Sequence, residues 1–164
     1  MTGIYGMARM SLHVHLKPYD MTHLGIPHTN WANTVFKGVF MSKIIVNHNI
    51  KSTSSLEVVK DKKGILKDNI ITYNHDGAMI KLKLLENKIF FERENKDVKI
   101  YLEFEKNKSI ITKYIIKDLK IEIKLETKTK NIIINDNNIM IEYDLFMNGE
   151  FSDSFKYELE WRDL

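Results

Sequence analysis

The sequence predicts an all-β, antiparallel domain, a sandwich or a barrel, and two observations carry that prediction. The first is alternation. In Leu119-Lys120-Ile121-Glu122-Ile123-Lys124-Leu125-Glu126 every odd position is apolar and every even one charged, the period of a strand with one buried and one solvated face. Ile139, Ile141, Tyr143 and Leu145 repeat the pattern, as do Phe151, Phe155, Tyr157, Leu159 and Trp161. The second is spacing. From Lys43 onward, turn signals separate short apolar runs at intervals of roughly eight to twelve residues, the mark of a sandwich or barrel. No segment longer than a turn or two carries a helical period.

The elements follow in order. Ile44, Val46 and Ile50 share one face of a first strand. Residues 56–60 read as a short second strand, and Asp61-Lys62-Lys63-Gly64 as the turn before a strand over 65–73. Asn74-His75-Asp76-Gly77 turns into a strand over 79–85, which Glu86-Asn87-Lys88 joins to 89–93. Glu94 to Asp97 leads to Val98, Ile100, Leu102 and Phe104, and Lys106-Asn107-Lys108 leads to 109–116. The run that begins at Leu119 continues its apolar face through Thr127 and Thr129.

The last hairpin poses a register problem. Asn148-Gly149 suggests a two-residue type I′ loop, but that loop pairs Leu145 with Ser152 and Ile141 with Lys156. A three-residue loop over Met147, Asn148 and Gly149, with Gly149 left-handed, pairs Leu145 with Phe151, Ile141 with Phe155 and Ile139 with Tyr157. A one-residue slip turns every side chain to the wrong face, so the second register is expected.

Composition narrows the function classes. The length suits one domain with a real core. Cysteine is absent, which excludes disulfides and thiol chemistry and fits a reducing cytoplasm. No run reaches the roughly 18 apolar residues of a membrane helix, and the Lys/Glu face of the best strands is wrong for a barrel facing lipid. The net charge is +3, but residues 1–40 hold Arg9, Lys17 and Lys37 against Asp20 alone. The rest is close to neutral with its signs interleaved, and nucleic-acid binding normally needs a clustered basic face. Neither nucleic acid nor membrane is an expected partner.

Residues 1–40 read like a different text. They hold both prolines, four of six histidines, four of seven glycines and four of eight methionines. Met41-Ser42-Lys43-Ile44 looks like a natural start. The expectation is an N-terminal extension over 1–40, non-native or poorly ordered, and a β domain over 41–164.

Within that domain, about 43–161, the residues resemble a family. Tyr73 ahead of a turn, Ile89-Phe90-Phe91-Glu92-Arg93, Phe104 and Thr112-Lys113-Tyr114 come in the order and spacing of the YwiB-like bacterial proteins, as do the strand from Leu119 and Ile141-Glu142-Tyr143-Asp144-Leu145. The resemblance implies a calycin- or lipocalin-like antiparallel barrel of about eight to ten strands, with the N-terminal extension outside it. It implies no activity, because the family has none established.

Polar side chains in the apolar phase of a strand are the candidates for chemistry. His48 shares a face with Ile44, Val46 and Ile50, and Arg93 with Ile89 and Phe91. Thr112 and Tyr114 lie with Ile110 and Ile116, Tyr143 with Ile141 and Leu145, and Thr127 continues the Leu125 face. In a barrel all six point inward, where a small ligand can be held. Each also has a structural role open to it, since an inward Tyr or Thr often caps backbone groups and an Arg at a strand end can reach water. Arg93 is the only arginine between Arg9 and Arg162, and a buried guanidinium needs either a ligand's acidic end or an internal partner.

Metal and catalytic readings are weaker. His13 and His15, with Asp20, His23 and His28 nearby, match no standard zinc spacing. His75-Asp76 beside Gly77 reads as turn chemistry, and Ser52, Ser54 and Ser55 have no evident base. The expectation is a cytoplasmic binding module for a small, partly apolar ligand, monomer or homodimer, with no cofactor, metal or catalytic residue. The alternative is a packed barrel that serves as a protein-interaction module. A cavity of several hundred Å³ with Arg93 or Tyr114 at its wall distinguishes the first from the second.

Overall fold

The computed structural model describes residues 41–164; the expectations for residues 1–40, with their four histidines, lie outside the described residues. Ten antiparallel strands form a closed barrel. They are β1 (Met41–Ser52), β2 (Leu56–Lys67), β3 (Ile70–His75), β4 (Ala78–Leu85), β5 (Lys88–Glu94), β6 (Val98–Glu105), β7 (Ser109–Ile116), β8 (Ile121–Ile134), β9 (Asn138–Met147) and β10 (Glu150–Asp163). Each strand pairs with its neighbours in sequence, and β1 closes the ring against β10. Closure removes the two free edges that an open sheet would present. Among the described residues there is no helix.

Period-two alternation decides what lies inside. Ile44, Ile71, Leu82, Ile89, Ile139, Ile141 and Leu159 are fully buried or nearly so, and Phe104 joins them. The outward positions of β5 and β6 carry ion pairs instead, with Lys88 on Glu103 at 2.6 Å and Lys99 on Glu94 at 2.8 Å. The charged positions of the alternating runs thus face out, as their period requires.

Three local expectations are corrected. Asp61 to Gly64 is no turn, because β2 runs straight through it. Val46 pairs with Lys62 and His48 with Val59, so Lys60 and Asp61 bulge opposite Asn47. Asp61 is left-handed (φ 54°), and its amide donates to Asn47 Oδ1 at 2.8 Å. The turn falls instead at Asp68-Asn69, both with positive φ, which suits the two residue types that best tolerate that region. Second, Leu119 is two-thirds exposed in the turn before β8, where Lys120 has φ 52°. The alternation there begins before the strand does.

Third, the β9–β10 loop has two residues after all. Asn148 (φ 50°) and Gly149 (φ 88°) form it, and Met147 pairs with Glu150 and Phe146 with Phe151. Ser152 then bulges, so that Leu145 faces Asp153, Tyr143 faces Phe155 and Ile141 faces Tyr157. The expected pairs of Leu145 with Phe151, Ile141 with Phe155 and Ile139 with Tyr157 therefore do not form. The register is displaced by two, and parity is kept because the extra residue is a bulge inside β10 instead of a third loop residue.

The wall is uneven between β6 and β7. Their ladder covers only Val98–Ile100 against Ile116–Tyr114, and beyond it the strands part. The Glu103 carbonyl would lose its partner there. The Thr127 hydroxyl donates to it from β8 at 2.7 Å, and Thr129 and Asn107–Lys108 exchange backbone hydrogen bonds. Strand β8 thereby closes the wall where β7 leaves it.

Candidate functional site

Five turns, at residues 53–55, 76–77, 95–97, 117–120 and 148–149, lie at one end of the barrel. Toward that end the interior holds a cavity of about 350 Å³. Aromatic side chains form much of its wall. Phe104 packs on Tyr143 at a 4.7 Å centroid distance, and Tyr143 stacks on Phe155 at 5.3 Å. Phe91, Leu102, Leu125 and Leu145 add apolar surface, while Arg93, Glu57, Ser55, Tyr114 and Tyr157 supply polar groups. A mostly apolar cleft with a few convergent polar groups is the usual form of a small-molecule site. A second space of about 360 Å³ is lined by Lys81, Lys83, Glu92 and Glu103 together with Phe91, Leu102 and Thr112; charged side chains make up more of its wall, and neither Arg93 nor Tyr114 reaches it.

Arg93 stands on the inner face of β5 in phase with Ile89 and Phe91, half-buried at the cavity wall. It forms no ion pair with a carboxylate among the described residues. Its strand neighbours Glu92 and Glu94 point outward and are taken by Lys99 and Lys117. Hydrogen bonds from those two lysines hold the Glu94 carboxyl at about 2. The expected internal acid partner for Arg93 is therefore not there among the described residues, and its charge faces the cavity.

Beside the cavity, β1, β2 and β3 bring together a polar cluster. His48 is buried on β1, with Nδ1 2.7 Å from Tyr73 Oη, which lies 3.2 Å from Tyr157 Oη. Its other nitrogen, Nε2, is buried without a hydrogen-bond partner. The Glu57 carboxylate stands 3.6 Å from it, beyond hydrogen-bond reach, and so acts on it as a charge. His75 Nε2 is 3.0 Å from the same Glu57 oxygen and 3.3 Å from Asp76 Oδ2. Burial, above all, lowers the His48 pKa; Glu57 opposes the shift, and the charges of His75 and Arg93 reinforce it. Burial likewise raises the pKa of Tyr73 and of Tyr157, so both phenols stay protonated at neutral pH.

The six sequence candidates separate into two groups. Arg93, Tyr114 and Tyr143 line the cavity. His48 sits behind its wall in the polar cluster, with Tyr73 and Tyr157 as neighbours. Thr127 is buried with its hydroxyl on the Glu103 carbonyl. Thr112 stands where β6 and β7 part, away from the cavity, with a buried hydroxyl that has no partner.

Two members of the cluster escape the sequence reading. His75 reads as part of a turn, yet it ends β3 in phase with Ile71 and Tyr73, a period visible in Ile71-Thr72-Tyr73-Asn74-His75. Glu57 is harder. The adjacent valines in Leu56-Glu57-Val58-Val59 leave the phase open, and pairing of Ile50 with Glu57 turns the carboxylate inward while Leu56 and Val58 stay exposed.

Comparison with known proteins agrees with this architecture. The crystal structure of the ywiB protein from Bacillus subtilis is similar, with a TM-score of 0.52 at 20% identity, covering 76% of this chain and 93% of that one. Similarity at that identity speaks for the fold alone. No curated protein matches. A family model described as a domain of unknown function, DUF1934, matches residues 47–159, which span all ten strands at least in part. The chain therefore belongs to the DUF1934 family, whose YwiB-like barrel its own fold shares.

Proposed function

We propose that the barrel is a binding protein, rather than an enzyme, for a small, partly apolar molecule that carries an anionic group. One observation supports this reading above the rest. A cavity of about 350 Å³, walled by aromatic and aliphatic side chains, has at its wall a half-buried Arg93 unmatched by any described carboxylate. A guanidinium in such surroundings favours a bidentate anionic partner such as a carboxylate or sulfonate. The volume is at the lower end of the range for small-molecule pockets, which argues for a compact ligand. A packed interaction module would have no use for this space, nor for a cation turned into it.

The anionic naphthalene dye 1-anilinonaphthalene-8-sulfonate tests the reading, since it joins an apolar body to a sulfonate. The expected result is saturable binding at one site, weakened about tenfold or more by Arg93→Met, the loss of roughly 1.4 kcal/mol or more of charge-assisted bonding. The uncharged analogue N-phenyl-1-naphthylamine should bind wild type and variant alike. Binding of the anionic dye that ignores Arg93→Met would refute the proposal, as would the absence of saturation.

A further inference from the structure

The cluster of His48, Glu57 and His75 goes beyond a ligand pocket. Three neighbouring strands supply one donor each, and the three ligand atoms lie within 4.8 Å of one another. Two of the separations are 3.0 Å, from His75 Nε2 to Glu57, and 3.6 Å, from His48 Nε2 to Glu57. Around a tetrahedral ion with metal–nitrogen bonds of about 2.0–2.1 Å, neighbouring ligand atoms are about 3.3 Å apart. The two measured edges straddle that value.

The hydrogen bonding of His48 points the same way. Its Nε2 is buried, has no hydrogen-bond partner and faces the Glu57 carboxylate. If Nδ1 carries the proton and donates to Tyr73 Oη, Nε2 presents a lone pair toward a carboxylate, two acceptors facing each other. If the proton sits on Nε2, it points at an oxygen too distant to accept it well. Neither tautomer of the neutral ring satisfies this nitrogen, and a bridging cation satisfies it together with the carboxylate. In the first tautomer the Tyr73 hydroxyl, accepting from His48, is free to donate its own O–H to Tyr157 Oη at 3.2 Å. A metal-bound histidine usually has its second ring nitrogen held in this way by an outer partner.

We infer that His48 Nε2, the Glu57 carboxylate and His75 Nε2 form a three-ligand site for a divalent transition-metal ion of the zinc class. Two imidazoles and one carboxylate suit Zn²⁺ or Co²⁺ better than the all-oxygen sets preferred by Mg²⁺ or Ca²⁺. A fourth position remains beside the cavity, since Glu57 and Tyr157 also line that space. The exposed Asp76 carboxylate also lies 3.3 Å from His75 Nε2. The site holds whether or not an anionic ligand occupies the cavity, because Arg93 is not among its donors.

The test is titration of the full chain, stripped of metal with a chelator, with Co²⁺ followed by its visible d–d absorption. The expected result is saturation at one equivalent, with at least tenfold weaker binding in each of Glu57→Gln and His75→Gln. A chain with His13, His15, His23 and His28 all replaced by asparagine should bind as wild type does. Far-UV circular dichroism checks that the variants fold. For a variant that does not fold, side-chain ¹H–¹⁵N spectra of the wild-type chain with Zn²⁺ take its place, and the Nε2 resonances of His48 and His75 should move. The inference is overturned by failure to saturate below millimolar Co²⁺, by full binding in either folded variant, by loss of binding with the four N-terminal histidines, or by resonance shifts confined to them.

Discussion

The Tyr73 hydroxyl lies 2.7 Å from His48 Nδ1, inside the barrel and between two strands that are not neighbours, β1 and β3. Strand β2 separates them in the sheet, and it bulges at Lys60-Asp61 opposite Asn47, the neighbour of His48. The bond ties the cluster to the core, because Tyr73 is as deeply buried as the aliphatic residues around it.

Tyr73→Phe removes that hydroxyl and leaves a buried imidazole nitrogen unpartnered. The cost of stranding such a group is about 1–3 kcal/mol. Tyr157→Phe should cost less, since Tyr73 keeps its bond to His48 and loses only the longer contact of 3.2 Å. Urea unfolding of the two variants gives the comparison. An equal or larger loss in Tyr157→Phe would show that the second hydroxyl, rather than the first, holds the network.

Gly64 offers a test of packing on the same strands. A Cβ built there would stand 2.9 Å from the Thr72 carbonyl oxygen and 3.2 Å from both Tyr73 Cβ and Val46 Cγ2. The first neighbour is backbone held in the β2–β3 ladder, so it has little room to retreat. Gly64→Ala should therefore destabilise by about 1–3 kcal/mol, as overpacking does. An unchanged urea midpoint would mean that the strands separate more easily than this geometry allows.

In the β9–β10 loop, Gly149 has φ 88° with open space around its Cα, and Asn148 has φ 50°. Gly149→Ala should cost on the order of 1 kcal/mol through backbone strain alone. Asn148→Ala should cost less, because φ near 50° is the left-handed region that non-glycine residues can enter. Thermal unfolding of both variants decides the matter, and negligible loss in Gly149→Ala would contradict the type I′ turn.

Acid should loosen the neighbouring rim in a defined window. The Thr53 hydroxyl, first, with the Ser52 side chain and the backbone amides of Ser154 and Thr53, holds the Asp153 carboxyl at about 2, below its ordinary 3.8. The native state then binds fewer protons than the unfolded chain between those values. The contribution to stability is full above the unfolded pKa and is lost as pH falls through the folded one. Carboxyl NMR titration should place Asp153 near 2, and Asp153→Asn should flatten the fall in stability below pH about 4. A midpoint at the ordinary value would show that the Thr53 contact does not persist in solution.

Local pattern decided the class of the fold and most of its faces. Alternation in β8, β9 and β10 assigned Leu125, Ile139, Tyr143 and Leu159 to the interior, because a strand's period leaves only two choices and one of them is charged. The same logic placed His48, Tyr143 and Thr127 inside, and all three are buried. It failed where a bulge changes phase without changing composition. The extra residues at Lys60-Asp61 and at Ser152 leave no mark that sets them apart from a turn or a longer loop. Only pairing with β1 and β9 fixes them, since the partner strand determines which residue is surplus.

The cluster beside the cavity shows the same division more sharply. Its three donors lie on consecutive strands, nine and eighteen residues apart, yet no spacing rule links a histidine on β1 to a carboxylate on β2 and a histidine at the end of β3. Whether Arg93 meets an acid was likewise beyond sequence, because the nearest acids, Glu92 and Glu94, had partners of their own on the outer wall. Sequence determined which side chains turn inward. Strand pairing and barrel curvature decided which of them meet, because contacts across a sheet depend on register and curvature, and neither is written in a local period.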